Sequence, residues 1–515
     1  MSASPEPQYP SPHRTPSRLL GPEYAGALLA LVCGVCVAAF ALWYVSAGKF
    51  PAFPNIQNDY IALGRSFLHG ELSLQDEPDP RLAELGNPYE YSQRKGIPYH
   101  WDASYFRGRY YLYWGPVPGL VSAVMQALGG SPPSASAFVV LPYIGLVAAS
   151  AVLLHHIARS FGRFAHLTVW VFLLVGFFSL PMLYTIGQPR HYQASIVYGQ
   201  FFLVASVLAF VLYSRSARSA WLVVCGLALG LAFACRYNLV LSVIIYLALI
   251  TFWLWRSERG SLWRGLGLLA LPLALCLLAM GWYNLARFGD PLETGLAYQL
   301  TIPEFGQIDY STAYIRSGLY IYLAYPLIAS GAFPFIQTTH FQPGLLPAWL
   351  YVPPGRQFDQ IVFGLLPTVP AFWLSALGFP LLVKRLFRGA SAQRPGPGGA
   401  SAAFVFVMLL AGAAAQFAFL LVFFYVAERY IVDFYVPVVL CVAVLVWCTH
   451  AALKGRPAIQ TILWAAVFAL TLWTAAIAYF ACFGVPSLVS HYFDPPMVAE
   501  AAAFWDAAYA SLKAP

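Results

Sequence analysis

Charge is what this sequence has least of. Asp, Glu, Lys and Arg make up 10% of its 515 residues, where a soluble globular chain carries about 25%. Apolar residues reach 60% and the mean hydropathy is +0.65. So little polar surface cannot clothe a core of this size, and the apolar excess must face lipid. The same numbers exclude a disordered chain. Eight cysteines are too few for a disulfide scaffold. Cys33, Cys36, Cys225, Cys235, Cys276, Cys441, Cys448 and Cys482 all fall in or beside apolar runs, so no disulfide framework is expected. Cys33 and Cys36 have C-x-x-C spacing but read as small packing residues of a span, not as a redox or zinc pair.

Motifs for cytosolic energy sources are missing too. There is no G-x-G-x-x-G after a strand, no Walker sequence, and no D-x-D of the nucleotide-sugar type. An internal repeat, the mark of many transporters, is also absent.

What is present is a series of long apolar runs. A crossing needs about 20 residues, and eleven stretches qualify: 24–47, 134–157, 165–186, 192–214, 219–235, 237–255, 265–286, 358–383, 401–425, 430–449 and 459–483. The first reads as a signal anchor, being too long for a cleaved signal peptide. Before it lies a Pro/Ser-rich cytoplasmic tail, 1–23, expected to be disordered. The expected fold is therefore an all-α polytopic membrane protein of about eleven transmembrane helices.

Charge distribution orients it. With the N-terminus inside, Arg159, Arg163, Arg215, Arg218, Arg256, Arg259, Arg264, Lys384, Arg385, Arg388, Arg394, Lys454 and Arg456 fall in short cytoplasmic connections, which contain one acid, Glu258. That is the positive-inside pattern. All acids but Glu6, Glu23 and Glu258 then lie outside. The net charge of +8 thus reflects topology and does not indicate nucleic acid. The expected location is an inner or plasma membrane. Two outer segments, 48–133 and 287–357, are too long to be turns, and 484–515 forms an outer C-terminal tail. Chemistry is expected on the outer face, without cytosolic nucleotide.

In the first outer loop Tyr60, Leu63, Gly64, Phe67 and Leu68 recur at helical spacing, with Arg65 and Glu71 off the stripe. This predicts a short interfacial amphipathic helix. Asp59 stands at its N-terminus, either as the N-cap or as a functional carboxylate. Farther on, Trp101-Asp102-Ala103-Ser104-Tyr105-Phe106 and Arg109-Tyr110-Tyr111-Leu112-Tyr113-Trp114 flank Arg107-Gly108, predicting a hairpin. Asp102 is either a second acid or the hairpin's cap. Residues 119–128 are apolar but too short to span, and read as interfacial or re-entrant. The density of Tyr and Trp suits sugar stacking and a membrane-interface belt alike.

Four pieces of sequence together resemble the GT-C glycosyltransferases, polytopic enzymes that take sugars from polyprenyl-phosphate carriers. Asp59-Tyr60 followed by His69-Gly70-Glu71-Leu72 is similar to the D-x-x-Y or D-E-x-Y region of protein O-mannosyltransferases and lipid A aminoarabinose transferases. Trp101 to Tyr105 through Gly115-Pro116-Val117-Pro118 is similar to a stretch in bacterial members. Tyr283-Asn284-Leu285-Ala286-Arg287-Phe288-Gly289-Asp290-Pro291, with Gly295 and Tyr298-Gln299-Leu300, resembles the N-x-x-R-F-G-x-P-x-x-x-G exit from a span. Glu428-Arg429-Tyr430-Ile431-Val432-Asp433-Phe434 resembles an R-Y-x-x-D-F span start. The acidic pair of the mannosyltransferases is absent at Asp59, which Asn58 precedes and Tyr60 follows.

The resemblance implies a single inverting displacement at the anomeric carbon of a polyprenyl-phosphate sugar. The acceptor would be a lipid, glycan or protein. Asp59 is the expected general base, with Asp102 as a second acid. Arg429, Arg236 and Arg190 are the candidates for holding the departing phosphate. Tyr60, His191, Tyr237, Tyr298 and Tyr430 are candidate substrate contacts. No cofactor is certain; a divalent metal is possible but unsupported, since the acidic pair is absent. Each arginine has a structural alternative. Arg236 can snorkel to the interface, Arg429 and Asp433 are spaced for an ion pair on one helix face, and Arg190-His191 can be an ordinary turn. His155-His156 lies at the opposite span end from this chemistry. A transporter of lipid-linked sugars, or a polymerase or ligase of pyrophosphate-linked glycans, is the rival reading.

Overall fold

The computed structural model describes residues 22–257, 261–301, 309–338, 341–358, 361–376, 399–485, 487 and 489–513. The expected N-terminal tail up to residue 21, Glu258, Arg259 and the basic linker around Arg394 lie outside them.

The described chain is helical throughout the membrane region, as the apolar runs predict. Fifteen helices organise it: α1 (Pro22–Val45), α2 (Asp59–Leu68), α3 (Val117–Gly129), α4 (Ala135–Ala158), α5 (Val169–Phe177), α6 (Leu180–Ile186), α7 (His191–Ser216), α8 (Ala220–Cys235), α9 (Val240–Arg256), α10 (Leu262–Phe288), α11 (Ile315–Ala324), α12 (Ala402–Val422), α13 (Val432–Ala452), α14 (Pro457–Gly484) and α15 (Pro495–Lys513). Eight helices among the described residues are long and apolar enough to cross a membrane: Glu23–Val45, Ala135–Ala158, His191–Ser216, Tyr237–Arg256, Leu262–Phe288, Ala402–Val422, Glu428–Ala452 and Pro457–Gly484. α13 sits at the centre, with 94% of its most apolar stretch buried in protein, while α1 and α10 are 22% buried there and face outward.

Three of the eleven expected spans take another form. The stretch 165–186 is a bent pair, α5 and α6, meeting at 53°. Pro181 sits in the first turn of α6 and has no N–H to continue the ladder of α5, so the helix breaks at Phe178-Ser179. The stretch 219–235 becomes α8, 16 residues long. It rises about 24 Å, short of a ~30 Å hydrocarbon core, and packs between α7 and α10. The described part of 358–383 is the end of a strand, a four-residue helix (Leu365–Thr368) and a 3-10 turn (Pro370–Leu374). Pro367 and Pro370 prevent a longer helix there; the rest of that stretch lies outside the described residues.

The loops carry the remaining structure. α2 and α3 pack closely, and a Cβ on Gly64 would come within 2.6 Å of Ser122 Oγ. Strands β1 (Ser104–Phe106) and β2 (Arg109–Tyr111) pair antiparallel with Ser104 opposite Tyr111. Their two-residue turn, Arg107-Gly108, has positive φ at both positions (49° and 73°), the geometry that matches strand twist and favours Gly. β3 (Gln357–Phe358) pairs parallel with β4 (Tyr425–Val426), fastening the second long loop to the start of α13. The segment after α14 contains α15, docked through Trp505 against Phe480 at 5.1 Å. At the opposite end of the bundle Arg215 Nη2 donates to the His156 carbonyl at 2.7 Å, tying the C-terminal ends of α4 and α7.

Candidate active site

Asp59 is not the cap of its helix. Asn58 is: its Oδ1 accepts from Tyr60 N at 3.0 Å, and its Nδ2 donates to the Pro189 carbonyl at 2.8 Å. That second bond brings the start of α2 against the loop that begins α7. Asp59 is therefore the first residue of α2, and His191 the first residue of α7. His191 Nδ1 lies 2.8 Å from Asp59 Oδ2, and His100 Nε2 lies 3.2 Å from the same oxygen. Two helix N-termini face this carboxylate, a setting that favours negative charge.

Burial alone would raise the Asp59 carboxyl. The charge of His191 and the hydrogen bonds from His100 and His191 outweigh it and hold the group far below the usual carboxylate range. The hydrogen bond to Asp59 in turn raises the His100 imidazole above its usual value, against partial burial, and Asp76 adds in the same sense. His100 Nδ1 is 2.8 Å from Asp76 Oδ2. His191 packs between Trp114 and Tyr192, ring centroids at 4.6 and 4.0 Å, and its Nε2 is buried without a hydrogen-bond partner.

The next residue, Tyr192, connects this centre to a second one. Its hydroxyl donates to Asp102 Oδ2, while Gln299 Nε2 donates to Asp102 Oδ1 and to Tyr113 Oη. Asp102 takes a positive φ of 68° and its N–H donates to Leu300 O at 2.9 Å. It thus joins the first long loop to the end of the Tyr298-Gln299-Leu300 run. The guanidinium of Arg429 lies over the Tyr192 ring at 4.9 Å and near the Tyr430 ring at 5.3 Å. Asp59, His191, Tyr192, Asp102 and Arg429 thus form one connected group.

The other expected arginines stand differently. Arg236 Nε and Nη2 form a fork on Asp433, at 2.8 and 2.7 Å, and Asn238 Nδ2 adds a bond at 3.0 Å. The partner of Asp433 is thus Arg236 and not its helix neighbour Arg429. The helix-face alternative assumed that a side chain four residues away reaches it, whereas the extended backbone at Arg236 presents a planar fork from α8. Arg236 is committed to that carboxylate. Tyr430 sits between the two cations, 5.5 Å from Arg236. Arg190 is exposed at the start of α7 and makes the turn, its N–H donating to Gln188 O at 2.7 Å.

Tyr60 lies wholly in the core, its hydroxyl donating to Gly115 O at 3.1 Å, so it fixes the hairpin's exit and has no face for a substrate. Tyr298 packs tilted against Phe106 at 4.5 Å, with Phe288 and Tyr89 at 5.6 and 5.8 Å, under the hairpin. Tyr237 packs on Phe233 at 5.6 Å. Sequence reading missed His100, Asp76 and Tyr192. His100 adjoins the Trp101-Asp102 run, but nothing in its spacing points to Asp59.

No family model matches the chain, and no curated protein does. Its arrangement is similar to the apo crystal structure of an oligosaccharyltransferase from Archaeoglobus fulgidus, with a TM-score of 0.46 and 13% identity over 89% of this chain and 56% of that one. It is similar to oligosaccharyltransferase AglB from Archaeoglobus fulgidus, in complex with an inhibitory peptide and a dolichol-phosphate, at 0.43 and 13% over 87% and 55%. It is also similar to ArnT from Cupriavidus metallidurans bound to undecaprenyl phosphate, at 0.41 and 14% over 88% and 75%. The chain spans little more than half the length of those oligosaccharyltransferases.

Proposed function

We propose that the chain is a membrane glycosyltransferase that moves a sugar from a polyprenyl-phosphate donor to a lipid, glycan or protein acceptor on the extracytoplasmic face. The observation that carries this reading is the Asp59 carboxylate at the start of α2, held at one oxygen by two imidazoles. The four motif resemblances support the donor class.

In this reaction the acceptor O–H bond breaks as its oxygen bonds to the anomeric carbon. The bond from that carbon to the phosphate oxygen breaks, and polyprenyl phosphate leaves with the electron pair. Attack opposite the leaving group inverts the configuration. Asp59 Oδ1 receives the acceptor's proton. The hydroxyl becomes strongly acidic only as the new bond forms, so an ionised and positioned carboxylate suffices. Arg429, supported on the Tyr192 and Tyr430 rings, meets the charge on the departing phosphate. Asp102 holds Tyr192 and orders the acceptor side.

The test is release of polyprenyl phosphate by the purified chain from a panel of polyprenyl-phosphate sugars, with crude membrane acceptors supplied. Release from one or more donors is expected. No release across the panel would contradict the reading and favour pyrophosphate-linked donors or transport.

A further inference from the structure

His100 bridges two carboxylates of opposite setting. On one side its Nε2 meets Asp59, whose side chain is 16% exposed; on the other its Nδ1 meets Asp76, at 62%. The three belong to different parts of the first loop: Asp59 opens α2, Asp76 follows it, and His100 precedes the hairpin. Tyr110 of β2 faces the imidazole with ring centroids 5.7 Å apart, and His191 reaches the cluster through Asp59. A chain of hydrogen-bonding atoms therefore runs from the candidate base to water. A purely structural clamp on Asp59 would not need a second carboxylate at the far ring nitrogen.

We propose that His100 and Asp76 are the exit for the acceptor's proton, carrying it from Asp59 to water. This rests on the glycosyl-transfer reading above. One proton enters the ring at Nε2 from the Asp59 carboxylic acid, and one leaves at Nδ1 to Asp76 and then to solvent. Asp59 is returned to its ionised form, and no oxidant or further reactant is needed. Exchange of the ring protons with water, which reaches the 21% exposed side chain, restores its starting tautomer. His100 and Asp76 act through Asp59 and are not themselves in contact with substrate. The imidazole must be neutral to take the proton, so turnover rises with pH as His100 deprotonates, above its ordinary value of 6.5.

The experiment measures release of polyprenyl phosphate between about pH 5.5 and 9 by wild type, His100→Gln and Asp76→Asn, with thermal stabilities matched. Gln keeps a polar side chain between the two carboxylates but cannot relay a proton. His100→Gln is expected to lose roughly tenfold or more in kcat with donor KM unchanged, to lose the rise with pH, and to recover on addition of free imidazole. Asp76→Asn, which removes one of the charges holding His100 protonated, is expected to move the rise to lower pH. A His100→Gln protein that keeps wild-type kcat and its pH profile would overturn the relay alone. So would a loss that imidazole does not restore. Absence of release by wild type would instead overturn the transfer reading, and the relay with it.

Discussion

Asp433 is fully buried, and its carboxylate receives Nε and Nη2 of Arg236 across 197 residues of sequence. Both charges are out of water, so their attraction is large and so is the cost of leaving either alone. The pair ties the end of α8 to the first turn of α13, and Gln200 of α7 adds a bond to the Asp433 carbonyl at 3.0 Å. It sets where Tyr430 and Arg429 stand.

Breaking that pair is expected to destabilise the fold. Arg236→Leu and Asp433→Leu should each cost about 3–5 kcal/mol, and the double variant less than their sum. Thermal unfolding in detergent measures all three. Strict additivity would show that the fork contributes nothing as a pair.

Gly115 is a second structural point. A Cβ there would meet the Ala234 carbonyl oxygen at 1.9 Å, and backbone cannot move aside as a side chain end can. Gly115→Ala should cost at least about 1–3 kcal/mol and loosen the hairpin against α8. Limited proteolysis of the 100–118 segment together with the unfolding midpoint checks this.

Much of the membrane architecture was legible because an apolar run of 20 residues has few alternatives in lipid, and α4, α10 and α13 form even across Pro142, Pro272 and Pro437. The exceptions have local causes. Window hydropathy does not register Pro181, Pro367 or Pro370, each of which removes a ladder hydrogen bond, and it overestimates α8, whose helix stops at Arg236. In the site, Asp59 was legible because it opens an amphipathic helix. Its partners were not. His100 and His191 lie 41 and 132 residues on, and only the packing of the loop against α7 brings them to one oxygen. The Arg429–Asp433 spacing was misleading for the same reason, since a distant fork displaced a near neighbour.

The histidine–carboxylate cluster gives stability a pH signature. Asp59 is held below its ordinary 3.8, so its contribution is present above that value and fades as pH falls through the depressed one. His100 is raised above 6.5, so its contribution is complete below 6.5 and is lost as pH rises through the raised value. Asp59→Asn removes the first and the larger part of the second, Asp76 supplying the rest. The gap in unfolding temperature between wild type and Asp59→Asn should therefore be widest between 3.8 and 6.5 and narrow above the raised His100 value. A gap independent of pH would contradict the ion pairing.

Arg429 and Tyr192 should separate by role. Arg429→Gln removes the cation proposed to meet the leaving phosphate and should lower kcat roughly hundredfold. Tyr192→Phe keeps the ring beneath Arg429 but strips Asp102 of a donor, so its main effect should be on stability, about 1–3 kcal/mol. Parallel kinetics and unfolding of the two variants test the division.

The central claim is that Asp59 takes the acceptor's proton. It is tested most directly by measuring polyprenyl phosphate release from an accepted donor by wild type and Asp59→Asn, at matched fractions folded. Asn keeps the size of the side chain and removes its charge. The expected result is a kcat lower by about a hundredfold or more with donor binding retained. Equal release by the two proteins would contradict it.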